Sequence, residues 1–353
     1  MLDVDQQGEN FLKIERFGKR TAALILAAAL SAVQTVPAAA EDGWAIDQGR
    51  QVYRIGDANA TGWLYLEIPL SWQEQDPSTA EYAGDHNGMA WFYFSPMTGR
   101  MKKDDVTEID GVTYGFHRNG MLLTGWVREK AAVPERRGYA YYGTGDETGI
   151  RTARMWRYLR DPEGSSSGAR SWFYFDAAGF PLAASPDQGI LSRTIDGRIY
   201  LFDSDAHALS GMVEVLGGGD PAFYYLDPAQ GLAASVGSVQ IDDGNGAEWY
   251  MFDESGRGIT GEVDGYLYYR GRLQRKSRDY GIFEVDGRKK LVDPDGRIVK
   301  GMTVENGNTT WTTGVDGEIL SAVIGGNSVN VDSLAADEMI SPKVSRTIRQ
   351  ESR

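Results

Sequence analysis

The chain has 353 residues, of which 41% are hydrophobic and 24% charged, which is typical of a soluble globular protein and not of a disordered one. Asp and Glu total 50 against 36 Lys and Arg, and the net charge of -14 argues against binding to nucleic acid or to anionic lipid. No cysteine is present, which excludes disulfides, thiolate metal sites and a cysteine nucleophile.

The first 40 residues have the pattern of a secretory signal peptide. Lys19 and Arg20 precede the apolar run 21–33, and an Ala-x-Ala site ends at Ala40. The run is short for a membrane span, which needs about 20 apolar residues. We therefore expect cleavage after residue 40, a secreted mature protein and no membrane insertion after cleavage. Secretion without any cysteine resembles export from a Gram-positive bacterium.

A short aromatic run recurs along the rest of the chain and is followed by a polar residue and Gly. Its copies end at residues 55, 94, 116, 143, 175, 202, 226, 252, 270, 292 and 313, and after the first gap they are 18 to 32 residues apart. Aromatic residues favour a half-buried strand. The spacing is typical of a repeat architecture, with about eleven units of roughly 20–27 residues.

Each unit reads as a β-hairpin because turn residues flank the aromatic run. Asp-Gly precedes several runs, as at Asp110-Gly111, and is a strong signal for a tight hairpin turn. Asp-x-x-Gly follows others, as at Asp176–Gly179, where the carboxylate can cap the turn. Since one hairpin cannot bury its apolar face, the sequence predicts an all-β solenoid of stacked β-hairpin repeats.

The predicted domains follow from this pattern. The β-hairpin repeat domain covers residues 41–323, with insertions near 64–88 and 129–171 that are interpreted as longer hairpins or surface loops. Residues 324–353 lack the pattern and are predicted to be a C-terminal tail that is disordered or only loosely docked.

These motifs resemble the cell-wall-binding repeat family, which includes choline-binding repeats, glucan-binding repeats and the repeats of clostridial toxins. The best match is Ile109–Trp126, which ends in Met-Leu-Leu-Thr-Gly-Trp, and Thr61-Gly-Trp63 is a second copy of the terminal motif. The resemblance implies non-covalent attachment to a cell-surface glycopolymer. The implied partners are a cell-wall polysaccharide, the choline of a teichoic acid, or a glucan.

In the choline-binding members, an aromatic cage between consecutive hairpins holds the ligand. A similar cage here would use the Gly-Trp tryptophan with the first and third residues of the next aromatic run. The candidate ligand-binding residues on this basis are Trp63, Trp91, Tyr93, Trp126, Trp172 and Tyr174. Other copies carry Met212, Glu262 and Met302 at the Gly-Trp position, so choline, wall carbohydrate and glucan all remain open as ligands. The alternative is that these aromatic residues only form the core.

The sequence predicts no enzyme and no cofactor. No block of about 100 residues outside the repeats could hold a catalytic domain. Asp203-Ser-Asp205 and Asp293-Pro-Asp295 could offer oxygens to calcium, but further ligands are missing from the pattern, so no metal site is predicted. The expected function is a secreted, non-catalytic protein that binds cell-wall carbohydrate. The alternatives are a structural spacer or host-facing adhesin and, third, an accessory wall hydrolase.

Overall fold

The computed structural model describes residues 42–129, 138–162, 169–185, 187–217, 219–244 and 246–350. The predicted signal peptide of residues 1–40 lies outside the described residues. The chain divides into an N-terminal unit, Met1–Pro181, and a C-terminal unit, Leu182–Arg353. No helix in the described part of the chain is both long enough and apolar enough to cross a membrane.

In its described residues, the N-terminal unit contains short antiparallel strands, two α-helices and one 3-10 turn. Its strands are β1 (Gly43–Asp47), β2 (Arg50–Ile55), β3 (Ala58–Asn59), β4 (Gly62–Glu67), β5 (Met89–Phe94), β6 (Asp105–Ile109), β7 (Val112–Phe116), β8 (Gly125–Arg128), β9 (Tyr139–Tyr142), β10 (Met155–Arg160) and β11 (Arg170–Phe175). Its helices are α1 (Leu70–Gln75), α2 (Pro77–Asp85) and the 3-10 turn Gly145–Glu147.

The C-terminal unit is also built from short strands. They are β12 (Ile190–Ile195), β13 (Arg198–Asp203), β14 (Gly211–Leu216), β15 (Ala222–Asp227), β16 (Ala233–Ala234), β17 (Gly237–Asp242), β18 (Ala247–Phe252), β19 (Gly261–Val263), β20 (Tyr266–Tyr269), β21 (Arg272–Leu273), β22 (Gly281–Val285), β23 (Arg288–Val292), β24 (Thr303–Asn306), β25 (Thr309–Thr313), β26 (Ile319–Ile324), β27 (Asn327–Val329) and β28 (Arg346–Arg349). The 3-10 turns are Pro228–Gln230 and Val331–Ser333.

The predicted hairpins are confirmed: each of the eleven aromatic runs lies on the second strand of an antiparallel pair. In chain order we number these pairs as hairpins 1 to 11: β1–β2, β4–β5, β6–β7, β8–β9, β10–β11, β12–β13, β14–β15, β17–β18, β19–β20, β22–β23 and β24–β25. The molecule is therefore mostly β, arranged in many small hairpin sheets.

The turn chemistry accounts for the register of these hairpins. Asp110 and Gly111 join β6 to β7 with φ of 51° and 80°, and this pair of positive angles gives a turn whose twist matches the strands it joins. After hairpin 5, one carboxylate oxygen of Asp176 accepts the backbone N–H groups of Ala178 and Phe180. Both turn predictions are therefore confirmed.

The core is divided into clusters that lie between successive hairpins. Phe92 and Phe94 of hairpin 2 pack against Trp44 and Tyr53 of hairpin 1. The opposite face of hairpin 2 packs against a cluster that includes Phe116 of hairpin 3. Because each hairpin presents alternate side chains to its two neighbours, most of its stability comes from those neighbours.

The insertion at 64–88 differs from the predicted longer hairpin or loop, because it contains α1 and α2 between strands β4 and β5. Asp76 caps α2 by accepting the N–H of Ser78, and Pro77 occupies the first helical turn. Trp72 and Tyr82 pack these helices onto the cluster around Phe92. Burial of these two rings favours helices over a loop.

The described part of the insertion at 129–171 belongs to two hairpins. Strands β9, β10 and β11 lie within or across it, so its ends belong to the regular hairpins 4 and 5. Residues 130–137 and 163–168 of this segment lie outside the described residues.

The predicted tail is docked, contrary to the expectation of a disordered end. We call residues 331–350 the C-terminal strap. It runs back along the C-terminal unit, exchanging hydrogen bonds with Ile282 and Gln274, and ends as β28, which pairs in parallel with β14. Its apolar side chains enter four different core clusters, which belong in turn to hairpins 10–11, 9–10, 7–8 and 6–7: Leu334, Met339, Val344 and Ile348.

Candidate functional site

Hairpin 2 places four aromatic rings on one face. Trp63 is paired across the strands with Tyr93, and Tyr65 with Trp91. Residues two apart on a strand share a face, so all four rings lie together. The ring centroids are 5.0 Å apart in the first pair and 5.1 Å apart in the second. Three predicted site residues, Trp63, Trp91 and Tyr93, are thus brought together, and the helical insertion does not separate them.

Hairpin 5 repeats this arrangement with the same residue types. Trp156 is paired with Tyr174, and Tyr158 with Trp172. The centroid distances are 5.2 and 5.1 Å, close to those of hairpin 2. The predicted residues Trp172 and Tyr174 therefore lie on one face, and the pattern Trp-x-Tyr opposite Trp-x-Tyr occurs twice in the N-terminal unit. We call the two sets the four-ring faces.

Hairpin 4 carries a reduced version of this face. Trp126 is paired with Tyr141, and Arg128 stands opposite Tyr139, with its guanidinium carbon 5.9 Å from that ring. The indole N–H of Trp126 donates to the carbonyl of Arg160 at 2.8 Å. The ring of Trp126 also contacts the aromatic rings of the next hairpin, so this predicted residue is mainly a packing element.

The two ring pairs of hairpin 2 have different surroundings. The ring centroid of Trp63 lies 4.9 Å from that of Tyr114 and 5.8 Å from that of Phe116, both in hairpin 3. Trp63 therefore packs in the cluster between hairpins 2 and 3. Tyr65 remains 51% exposed. Trp91 is half-buried and packs against the same cluster, so Tyr65 is the accessible ring of this outer pair.

This geometry disfavours a cation cage between the inner rings. Centroids 5.0 Å apart place Trp63 and Tyr93 in direct contact. The two rings leave no gap between them, so a quaternary ammonium could only lie against their outer faces, within about 6 Å of a ring centroid. The outer rings, Tyr65 and Trp91, instead present a tilted aromatic surface. Such a surface can stack on the apolar face of a sugar ring.

The phenols of Tyr93 and of its neighbour Tyr114 in hairpin 3 stay neutral at physiological pH. Burial, with a smaller contribution from the charge of Asp110, raises the pKa of Tyr93 above its usual value. The same two causes raise the pKa of Tyr114. Both hydroxyl groups therefore remain hydrogen-bond donors over the range in which proteins normally work.

Sequence reasoning missed Tyr65 and Tyr158, the partners that complete the two faces, and did not include Trp156 among the candidate ligand-binding residues. The signal that could have found them is the two-residue alternation Trp-x-Tyr on the first strand of each hairpin. Site prediction from the second strand alone gives only half of each face.

In the C-terminal unit, the positions that correspond to the candidate ligand-binding residues are buried or covered by other side chains of the chain. Met212 replaces tryptophan opposite Tyr225 and is 4% exposed, in a cluster that Val344 of the strap joins. The guanidinium carbon of Arg270 lies 5.1 Å from the ring of Phe223 and 4.9 Å from that of Tyr269. Arg270 therefore covers the ring faces of Phe223 and Tyr269, where a ligand would otherwise stack.

The cluster of Asp203, Asp205 and His207 brings possible metal-ligand atoms within 4.8 Å of one another. One oxygen of Asp203 accepts the N–H groups of Asp205 and His207, as the turn aspartates of other hairpins do. Arg346 Nη2 lies 2.9 Å from the other oxygen. His207 Nδ1 lies 3.5 Å from the same oxygen, so the imidazole and the guanidinium together balance the buried carboxylate, and Arg346 ties the strap to hairpin 6.

Ser78 Oγ lies 3.1 Å from His117 Nε2. The backbone N–H of Asn119 donates to His117 Nδ1, which leaves the proton on Nε2 and makes Ser78 the acceptor. Burial, ahead of the neighbouring charges, lowers the pKa of His117, so the ring is neutral. In this tautomer the imidazole cannot take the proton of Ser78, as a nucleophilic serine would require.

Comparison with known proteins finds likeness only among solved structures. No protein-family model and no curated protein matches the sequence. CbpJ from Streptococcus pneumoniae is 19% identical, with a TM-score of 0.49 over 79% of this chain and 94% of that chain. Choline binding protein F from the same species is 21% identical, with a TM-score of 0.47 over 79% and 92%. The modular autolysin LytC is 16% identical, with a TM-score of 0.41 over 79% and 52%.

Proposed function

We propose that the protein is a secreted, non-catalytic protein that binds cell-wall carbohydrate through the four-ring faces. The observation that carries the proposal is that the same four residue types recur at the same register positions in hairpins 2 and 5. A core needs aromatic volume but does not need this repeated pairing, and the ring of Tyr65 is 51% exposed while that of Tyr158 is half-buried. Exposed flat rings of this kind stack on sugar faces.

The proposed mechanism is multivalent attachment. Each outer ring pair would hold one short stretch of glycan weakly, and two such sites on one polymer strand would add their affinities through a high effective concentration. The hairpins would follow one another as a solenoid, and this is supported by the core clusters that successive hairpins share within each unit. The site is expected on the cell surface, since the N-terminal pattern is that of an exported protein.

The test is sedimentation of the protein with insoluble Gram-positive cell wall. A Tyr65→Ala/Tyr158→Ala variant removes the outer tyrosine from both faces while the paired tryptophans stay. Each lost ring contact is worth about 0.5–1.5 kcal/mol, so we expect about tenfold weaker pelleting. Trp249→Ala is the matched control, because this ring is 46% exposed but stands opposite Gln240 instead of an aromatic residue.

The outcomes separate the ligands and the alternatives. Competition by dextran or wall glycan, with no effect of choline, would support a carbohydrate. Loss of pelleting in choline would instead identify choline as the ligand. An equal loss in the Trp249→Ala control, or unchanged pelleting of the double variant, would contradict the proposal.

A structural spacer or adhesin is the second candidate. The observation that favours it is the closure of the C-terminal positions by Met212, Arg270 and the strap. It predicts no pelleting of the wild-type protein with wall material. An accessory hydrolase, the third alternative, predicts a clearing zone on a wall zymogram, which we expect to be absent.

A further inference from the structure

A groove on the N-terminal unit gathers four cationic side chains. It lies between the turn of hairpin 1 and the segment that follows β5, and its volume is about 470 Å³. The cations are Arg50, Arg100, Lys102 and Lys103, and no acidic residue belongs to its described lining. We call it the basic groove.

The positive charge of the basic groove contrasts with the negative net charge of the whole chain. The whole chain has 50 acidic and 36 basic residues, so an average surface region is negative. Two other grooves, both in the C-terminal unit, mix the two signs. One combines Arg198 with Asp227 and Glu254, and the other combines two arginines with Asp220 and Asp253.

The cations of the basic groove are oriented without being neutralised. Arg100 Nη2 donates to the amide oxygen of Gln48 at 3.2 Å, and Lys103 Nζ donates to that of Gln51 at 3.5 Å. Among the described residues, neither Arg50, Arg100 nor Lys103 has a carboxylate oxygen within 4.0 Å. Lys102 has only an exposed ion pair with Asp105 at 4.0 Å, and such pairs contribute little.

The backbone beneath these side chains is fixed by hydrogen bonds. Met101 donates its N–H to the carbonyl of Gln51 at 3.1 Å, and Lys102 donates to that of Tyr93 at 2.8 Å. The backbone N–H of Ser95 also donates to the carbonyl of Arg100 at 2.9 Å, which closes the loop 95–100. The backbone positions that carry these charges are therefore fixed before any ligand arrives, which removes one part of the entropic cost of binding.

We propose that the basic groove binds phosphate groups of an anionic glycopolymer, as phosphodiesters along its backbone. Four like charges, of which only Lys102 has an acidic partner, repel one another and create a positive potential that attracts an anion. Two of the four are arginines, whose planar guanidinium matches the oxygens of a phosphate in a bidentate way. The inference rests on the proposed function, because it specifies the charge of the polymer that the four-ring faces would hold.

The test uses the full-length protein and linear sodium polyphosphate as the probe, with titration calorimetry at low and at physiological salt. Arg50→Gln/Lys103→Gln removes two exposed cations and keeps the length and polarity of their side chains. We expect it to bind polyphosphate about tenfold more weakly at low salt. Affinity of the wild-type protein should fall as salt rises, because ions screen exposed charges.

The matched control is Arg193→Gln/Arg278→Gln, which removes two exposed cations from the C-terminal unit and should bind polyphosphate as the wild type does. Equal weakening in this control, or unchanged affinity in the groove variant, would overturn the proposal. Polygalacturonate serves as the carboxylate probe, and binding as tight as that of polyphosphate would overturn the assignment to phosphate. Thermal melting confirms that both variants are folded.

Failure of this inference can be told apart from failure of the proposed function. The Tyr65→Ala/Tyr158→Ala variant should bind polyphosphate normally even if it no longer pellets with cell wall. The groove variant should retain binding to a neutral glucan, whatever its affinity for polyphosphate.

Discussion

Ile348 anchors the end of the strap, and its replacement by alanine tests whether the strap holds the C-terminal unit together. The residue is 9% exposed and packs in the cluster formed by hairpins 6 and 7. The change Ile348→Ala removes three carbon groups, each worth about 0.8 kcal/mol when buried, so the transfer loss is about 2 kcal/mol. A residual cavity raises the expected loss of stability to about 2–4 kcal/mol.

The assay is native-state hydrogen exchange read by mass spectrometry. A loss of about 2 kcal/mol corresponds to roughly 30-fold faster exchange in the peptides that cover β14 and β28. Peptides that cover hairpins 1 to 5 should exchange as before. The matched control is Ile340→Ala, in the same strap but 45% exposed, for which we expect a loss of about 1 kcal/mol and no local effect on β14. Equal exchange rates in the two variants would refute the view that the strap is held by its buried side chains.

Two further predictions concern the N-terminal unit. Arg118 donates to Asp76 and holds the pKa of that carboxyl far below its usual range, so the stability it gives is lost only as pH falls through that low value. Arg118→Gln should therefore move acid unfolding, followed by tryptophan fluorescence, to a higher pH, and an unchanged midpoint would contradict the assignment. Gly115→Ala would place a Cβ 2.5 Å from the fully buried ring of Tyr142, and should cost about 1–3 kcal/mol in urea unfolding. Gly84→Ala, where nothing lies within 4 Å, should cost far less, and similar losses in both would exclude a packing cause.

The hairpins could be predicted from sequence because their signals are local. An aromatic strand such as Trp91–Phe94 and a turn such as Asp110-Gly111 lie within a few residues of each other, and side-chain alternation decides which face is buried. The helices α1 and α2 were not predicted from the sequence, because they have only 6 and 9 residues, too few to show a helical period. Only the cap at Asp76 and Pro77 pointed to them.

The docking of the strap and half of the candidate site could not be predicted from local sequence signals. β28 is a charged segment of four residues, Arg346–Arg349, and it pairs in parallel with a strand far away in sequence. No local propensity encodes such a pairing. The four-ring faces were partly predicted, through Trp63, Trp91 and Tyr93, but which ring is buried depends on the neighbouring hairpin, and that is a tertiary property.

The strap changes how the C-terminal unit unfolds. In most repeat proteins each unit contacts only its neighbours, and melting can spread from either end. Here Ser345 donates its hydroxyl to the carbonyl of Met212, 133 residues earlier in the chain. Residues up to Arg349 must therefore be synthesised before hairpin 7 gains the strand that pairs with β14. Removal of the strap, for example by a protease, would leave hairpins 6 to 11 held only by their neighbours, and we expect them then to unfold one at a time instead of cooperatively.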